Sequence, residues 1–140
     1  MNVLYRTEAT ATGGRTGSSK TSDGAFAVSL VTPKELGGPG GEGNNPEQLF
    51  AAGYSACFLG AVKFVAGQKK VAVAEDSTVT AKVGIGKRDD GQGFGLDVAL
   101  AVHLPGVDKE TAQAIVDQAH IVCPYSHATR NGLDVKISLV

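Results

Sequence analysis

The sequence predicts an α+β fold in which antiparallel sheet surrounds one long, buried central helix. Three observations lead to this prediction. Apolar residues alternate near both ends of the chain and in its middle, which is typical of strands. Residues 46–67 form an apolar stretch with the signals of a helix at both ends. Strands and helices are grouped along the chain, and grouping favours antiparallel sheet over βαβ units. The 140 residues are expected to form a single domain, 1–140.

The N-terminal segment is predicted to be a three-stranded antiparallel meander. Residues 3–11 alternate between apolar and polar and predict the first strand. A second, polar strand covers about 16–21, and Ser22-Asp23-Gly24 is a strong hairpin signal. The third strand is expected to turn Phe26, Val28 and Leu30 inward. Residues 32–44, rich in glycine and proline, are interpreted as a flap beside a site or as a plain connector.

The central helix has clear N-terminal signals. Asn45 is a good N-cap, Pro46 suits the first helical position, and Gln48 lies where a capping-box side chain reaches back. From Leu49 onward the helix is apolar on nearly every side and carries one charge, Lys63, before Gly67 ends it. We interpret it as a buried core helix rather than a membrane span, since the flanking sequence is ordinary and polar. Because it has no polar stripe, a second subunit is expected to cover it, which predicts an intertwined homodimer.

The C-terminal half is predicted to continue as hairpin, helix, short helix and strand. Two alternating runs, 79–85 and 94–104, flank a glycine-containing turn and predict a second hairpin. Asp108 is expected to cap the next helix, and Pro124 breaks that helix at Cys123. A short helix then restarts and stops before the last strand, whose apolar residues are Leu133, Val135, Ile137 and Leu139.

Composition excludes several classes of partner. The chain has 13 basic and 14 acidic residues, so neither a nucleic-acid surface nor binding to acidic membrane lipid is expected. The N-terminus lacks the charged-then-apolar pattern of a signal peptide, which predicts a cytoplasmic protein. Two cysteines in a reducing compartment are more often catalytic, redox-active or metal-binding than a structural disulfide.

The two cysteines occupy different settings. Cys57 is in the middle of the central helix, where its simplest interpretation is a small core side chain. Cys123 precedes Pro124 at a helix junction, where free amide N–H groups favour a thiolate. A disulfide requires Cα atoms within about 7 Å, which the sequence alone does not establish.

Arg15 and Glu47 are the charged candidates. Arg15 follows two glycines and is either a solvated loop residue or a group that lowers the pKa of a thiol. Glu47 lies in the first turn of the central helix, where its negative charge either interacts favourably with the helix dipole or orients Arg15. Glu47 and Cys57 are ten residues apart, roughly 15 Å along a helix axis, so they cannot touch directly. If both serve one site, Arg15 bridges them or Glu47 comes from the partner.

A metal site is the main alternative. His120, Cys123 and His127 have a spacing that zinc accepts, with Cys57 as the fourth ligand. The Pro124 break, however, prevents these residues from sharing one helix face.

Two motifs resemble those of a known family. The run NPEQLFAAGYSACF, residues 45–58, and the run VCPYS, residues 122–126, closely resemble the organic hydroperoxide resistance proteins. These are one branch of the family that also contains the osmotically inducible protein C group. The resemblance extends from the first strand to the last, and the VCPYS form favours this branch over its sister.

The resemblance implies a function and a set of site residues. By position, Cys57 matches the family's peroxidatic cysteine, Cys123 its resolving cysteine, and Arg15 with Glu47 the pair that activates the thiolate. The implied fold is an intertwined α+β homodimer with sites at the subunit interface. The implied substrates are alkyl and fatty-acid hydroperoxides, and the implied reductant is a dithiol, typically protein-bound lipoyl groups.

The predicted reaction therefore needs neither metal, haem nor flavin. Phe50, Tyr54 and Phe58 are candidates for an apolar wall that accepts the alkyl chain of the substrate. The rival interpretations are a sister-branch peroxidase, a zinc-binding or thioester-hydrolysing protein, and a non-catalytic carrier of apolar ligands.

Overall fold

The computed structural model describes residues 1–133 and 135–139 and contains three α-helices and two antiparallel sheets. The predicted α+β class is confirmed. The chain divides into two compact units, residues 1–50 and 51–140. The boundary falls within the long helix, so the prediction of a single domain stays a prediction.

The first unit contains the three-stranded sheet. Its strands are β1 (Ala9–Thr12), β2 (Ser18–Thr21) and β3 (Ala27–Ser29), paired antiparallel in the order β1-β2-β3. The predicted meander is confirmed, but β1 is shorter than the predicted 3–11 because the four residues of β2 offer only four partners. Phe26 was expected to face inward and is 48% exposed. The described residues of this unit include no fully buried side chain, so it has no core for Phe26 to enter.

The turn between β2 and β3 forms as its residues predict. The Thr21 amide donates to the carbonyl of Phe26 at 2.9 Å. The Asp23 carboxylate accepts from the Thr21 hydroxyl at 2.6 Å and from the Ala25 amide at 3.0 Å. Gly24 has φ +72°, a conformation that glycine adopts without the steric cost of a Cβ. The turn is therefore closed by its own side chains.

The long helix, α1 (Pro46–Gln68), begins with the predicted capping box. The backbone N–H of Gln48 donates to the side-chain oxygen of Asn45 at 2.9 Å. The backbone N–H of Asn45 donates to the side-chain oxygen of Gln48 at the same distance. Two amide groups that the helix leaves unpaired at its start are thereby satisfied.

Burial of α1 is confined to one stripe. Its buried residues are Tyr54, Phe58, Ala61, Val62, Val65 and Ala66. Phe64, on another side of α1, is 57% exposed, so the cover that a second subunit is expected to provide stays a prediction. By length and hydropathy alone α1 is able to cross a membrane, but the helix at the centre of a protein core passes the same test.

The second unit contains a hairpin and two further helices. The hairpin pairs β4 (Thr78–Lys87) with β5 (Phe94–His103), with Val83 opposite Val98. Helix α2 (Lys109–Val122) is capped by Asp108, whose carboxylate accepts from the Thr111 amide at 3.0 Å. Helix α3 (Pro124–Asn131) follows directly. The predicted hairpin, cap and Pro124 break are all confirmed.

The core lies in the second unit, where the buried stripe of α1 and the apolar face of α2 contribute most of it. Its most deeply buried side chains are Val62, Val65, Ile115, Ala119, Cys123 and Ser126. The last two are at the junction of α2 and α3, so the helix break is itself part of the core.

The predicted last strand is not formed by the described residues of the C-terminal segment. Residues 133 and 135–139 carry no strand, and residue 134, part of that prediction, lies outside the described residues. The apolar residues of this segment are exposed, namely Leu133, Val135, Ile137 and Leu139. A strand requires a partner edge for its backbone groups, and in the described part of the chain none pairs with this segment.

Candidate functional site

Arg15 lies in a tight turn that its glycine neighbours make possible. Residues Gly14–Thr16 form a single 3-10 turn between β1 and β2. A Cβ on Gly17 would lie 1.8 Å from the carbonyl oxygen of Thr12, so no other residue fits there without a backbone shift. The Thr32 hydroxyl donates to the Arg15 carbonyl at 3.3 Å and ties the turn to the following loop. The backbone of Arg15 is therefore held by the close packing of the turn and by the hydrogen bond from Thr32.

The side chain of Arg15 forms a two-pronged ion pair with Glu47. Its two terminal nitrogens donate to the two carboxylate oxygens at 2.9 and 2.6 Å. This fork geometry is the strongest arrangement for an arginine and a carboxylate. Glu47 is in the first turn of α1, next to the capping box, so the helix start fixes its position.

Each partner shifts the pKa of the other. The hydrogen bonds from Arg15 lower the pKa of the Glu47 carboxyl and outweigh burial, which acts in the opposite direction. The hydrogen bonds to Glu47 likewise raise the pKa of the Arg15 guanidinium. Two of the five N–H donors of Arg15 are used, so the group has donors left for an anion. The predicted Arg15–Glu47 contact is thus present within the first unit.

Cys57 and Cys123 meet in the second unit. Cys57 is half-buried on α1, and Cys123 is fully buried as the N-cap residue of α3. Their sulfur atoms are 3.6 Å apart, and both are free thiols. The two residues are 66 positions apart in the chain, so the fold brings them together.

The surroundings of Cys57 in the second unit favour its neutral form, since they raise its pKa. Burial raises the pKa of the Cys57 thiol, and its contact with Cys123 raises it further. The backbone of Tyr125, in the first turn of α3, lowers the same pKa but does not reverse the shift. Within the second unit, therefore, nothing described makes Cys57 an unusually acidic thiol.

The predicted pocket aromatics differ in burial. Tyr54 and Phe58 are almost fully buried and pack edge to face, with ring centroids 6.4 Å apart. Phe50 is half-buried and belongs to the first unit. Their role as a substrate wall stays a prediction.

One feature beside the thiols was missed in the sequence. The hydroxyls of Tyr54 and Ser126 are 2.9 Å apart and buried, and the Thr129 hydroxyl lies 3.4 Å from that of Tyr54. The available signal was a serine directly after the Cys-Pro-Tyr run, at the predicted helix break.

The zinc alternative finds no matching geometry. Among the described residues, no three histidine, cysteine or acidic side chains converge as a metal site would require. The Nδ1 atom of His127 instead lies 3.0 Å from the side-chain amide nitrogen of Asn131.

Comparison with known proteins identifies the family. The family model for OsmC-like proteins matches residues 38–138, which is most of the chain and includes α1 and both cysteines. The chain belongs to the OsmC-like family. Within this family it is 53% identical to the organic hydroperoxide resistance protein of Xanthomonas axonopodis pv. citri, over 98% of this chain and 95% of the relative.

Two further relatives support the same family. The organic hydroperoxide resistance protein OhrB of Bacillus subtilis is 42% identical over 98% of each chain. The crystal structure of an organic hydroperoxide resistance protein from Legionella pneumophila superposes with a TM-score of 0.87, at 47% identity and 96% coverage of each chain. The fold described above is therefore that of the OsmC-like family, and the resemblance stated from the two motifs is confirmed.

Proposed function

We propose that this protein is a cysteine-based peroxidase that reduces organic hydroperoxides to alcohols. The observation that carries the proposal is the pair of free thiols, Cys57 and Cys123, with sulfur atoms 3.6 Å apart. Two thiols at this separation form a disulfide with little movement. The names of the relatives supply the substrate class, organic hydroperoxides.

In the first step the Cys57 thiolate attacks the distal oxygen of the hydroperoxide ROOH. The O–O bond breaks, Cys57 becomes a sulfenic acid, and the alkoxide RO⁻ takes a proton to leave as the alcohol. Sulfur is oxidised by two electrons and the peroxide is reduced by two. The thiolate is required, because a thiol is a poor nucleophile.

Arg15 is proposed to supply the charge that this step needs. Burial raises the pKa of the Cys57 thiol, so an outside cation has to offset that shift. A guanidinium does so, and its remaining donors suit the departing alkoxide. Glu47 holds Arg15 in one orientation through the two-pronged ion pair.

Cys123 is proposed to resolve the sulfenic acid. Its sulfur attacks that of Cys57, a disulfide forms, and water leaves. This protects Cys57 from irreversible oxidation. A dithiol then exchanges with the disulfide, which restores both thiols and leaves the dithiol oxidised. We propose lipoyl groups on a protein as that dithiol. The cycle uses no metal, haem or flavin.

The proposal includes a homodimer in the cytoplasm. Apolar side chains remain exposed on α1 and in the C-terminal segment, including Phe64, Leu133, Val135 and Ile137, and a second copy of the chain is a suitable cover. A reducing compartment keeps both cysteines in the working thiol form. Phe50, Tyr54 and Phe58 are proposed to face the alkyl group of the substrate.

A thiol titration tests the proposal. The reduced protein is mixed with one equivalent of cumene hydroperoxide, and free thiols are counted before and after. Loss of two thiols per chain, with one equivalent of alcohol formed, is the expected result. An unchanged thiol count would reject the peroxidase assignment, and hydrogen peroxide in a parallel sample measures the preference for organic substrates.

A further inference from the structure

The buried hydroxyls of Tyr54 and Ser126 join the same two helices as the thiols. Tyr54 lies on α1 one turn before Cys57, and Ser126 lies in the first turn of α3, three residues after Cys123. The two hydroxyl oxygens are 2.9 Å apart. The hydroxyl pair and the thiol pair are therefore neighbouring contacts between α1 and the start of α3.

Both hydroxyls are enclosed between the helices that carry them. Ser126 is completely buried and Tyr54 is 4% exposed, so neither turns to water without the helices separating. A buried hydroxyl that loses its partner is unfavourable. Thr129 reinforces the arrangement, since its hydroxyl lies 3.4 Å from that of Tyr54 and donates to the Ser126 carbonyl at 3.1 Å. The pair thus sets the register of α3 against α1.

Packing around the pair is equally close. The Tyr54 and Tyr125 rings are 5.8 Å apart. A Cβ on Gly53 would lie 3.1 Å from the Tyr125 hydroxyl, so the bare backbone of α1 admits that ring at short range. The residue before Ser126 therefore packs closely against α1 as well.

The position of α3 against α1 matters because the two sulfur atoms have to come closer together before they can form a bond. The sulfur atoms are 3.6 Å apart, whereas a disulfide bond is about 2.05 Å long. Side-chain rotation closes this gap only if the N-cap of α3 stays in place. A small shift of α3 away from α1 would separate Cys123 from Cys57 and leave a sulfenic acid without its partner.

We infer that the Tyr54–Ser126 hydroxyl pair positions Cys123 for disulfide formation. In this inference both are positioning residues, which act through the placement of α3 against α1. The inference rests on the proposed function for the origin of the sulfenic acid. The positioning itself applies to any two-electron oxidation of the two thiols.

The test separates the two oxidation steps in Ser126→Ala, with Tyr54→Phe as a second variant that keeps the aromatic ring. Stopped-flow mixing with cumene hydroperoxide follows sulfenic acid formation, and quenched samples follow disulfide formation. In Ser126→Ala the first step is expected to keep its rate within twofold, while the disulfide forms about tenfold more slowly and sulfinic acid accumulates at Cys57. Ser55→Ala is the matched control, because the Ser55 hydroxyl bonds only to the Ala52 carbonyl of its own helix among the described contacts.

A second oxidant separates this inference from the proposed function. Diamide takes two electrons and two protons from two thiols, yielding a disulfide and a hydrazine, and needs no peroxidase chemistry. Slower diamide closure in both variants supports the inference, even if the wild type reduces no hydroperoxide. Closure at the wild-type rate in both variants, whatever their melting temperatures, would overturn it. A Tyr54→Phe/Ser126→Ala double variant no slower than either single variant would show that the two hydroxyls act as one contact.

Discussion

The two pairs of candidate residues differ in how the protein holds them. Arg15 and Glu47 form a charged pair at a turn and a helix start, and the Arg15 side chain is 37% exposed. Cys57 and Cys123 form a pair of free cysteines, with Cys123 wholly buried in a core. The charged pair stabilises its ionised forms, since the pKa of Glu47 is lowered. The sulfur pair does the opposite, since burial raises the pKa of the Cys57 thiol.

This difference suggests a division of labour. A thiol whose pKa is raised by burial, as that of Cys57 is, reacts slowly because little of it is thiolate. A charged pair near water stays ionised and keeps N–H donors for an anion. Reactivity in the proposed mechanism thus requires both pairs, and substitutions in each are expected to fail in different ways.

The largest effect is expected at Cys57. Replacing Cys57 by serine removes the attacking sulfur, so turnover of an organic hydroperoxide with a dithiol should fall on the order of a thousandfold or more. A coupled assay of dithiol consumption measures this. Residual turnover at a tenth of the wild-type rate would assign the chemistry to another group.

Loss of Cys123 should separate attack from resolution. Cys123→Ser keeps the attacking thiol, so it is expected to consume about one equivalent of hydroperoxide and then stop or over-oxidise. Mass spectrometry should find sulfinic or sulfonic acid on Cys57. Sustained turnover with a dithiol as reductant would argue against a resolving role.

Arg15→Ala tests whether the charged pair serves the sulfur pair. Loss of the guanidinium is expected to lower turnover about a hundredfold and to raise the pKa of Cys57 further. Iodoacetamide alkylation as a function of pH measures that pKa. Arg88→Ala is the matched control, because Arg88 pairs with Asp90 in the exposed turn after β4. An alkylation profile that moves equally in both variants, or in neither, would remove Arg15 from the proposed mechanism.

The smallest effect is expected at Glu47, and it depends on pH. The folded-state pKa of Glu47 is lowered, so its ion pair contributes stability above the unfolded pKa of about 4.3 and loses it as pH falls through the folded value. Glu47→Gln should therefore cost about 0.5 to 1 kcal/mol at pH 7, discounted for the exposure of Arg15, and nothing in strong acid.

Denaturant unfolding at several pH values measures this difference. A gap between wild type and Glu47→Gln that persists at pH 2 would mean that the stability comes from packing rather than from the ion pair. Turnover of the variant should fall less than in Arg15→Ala, because the guanidinium remains but is held less firmly.

Local signals in the sequence were sufficient for most of the secondary structure. The capping box at Asn45, the Asp108 cap and the Pro124 break each depend on residues close in sequence, and each was predicted correctly. The main failure concerns what covers a surface. Among the described residues, no strand edge pairs with residues 133 and 135–139, so the predicted last strand is absent there. Periodicity indicates which residues are apolar, but it does not say which chain covers them.

The candidate site was predicted only in part for a related reason. Its residues were found through two motifs and a family resemblance, and the 3.6 Å sulfur separation depends on the packing of α3 against α1. The Tyr54–Ser126 pair was missed because its partners are 72 residues apart. Tyr54 was predicted to act through its aromatic ring, as part of a pocket wall. In the structure its hydroxyl also makes a buried contact with the hydroxyl of Ser126.

The glycine at position 17 offers a way to sort related proteins. A side chain there would collide with the Thr12 carbonyl, so the turn that presents Arg15 is available only to chains that have glycine at this point. A relative that aligns an arginine at position 15 but has a larger residue at 17 must hold that arginine on a differently shaped loop. Such chains are natural variants in which to look for altered peroxide preference.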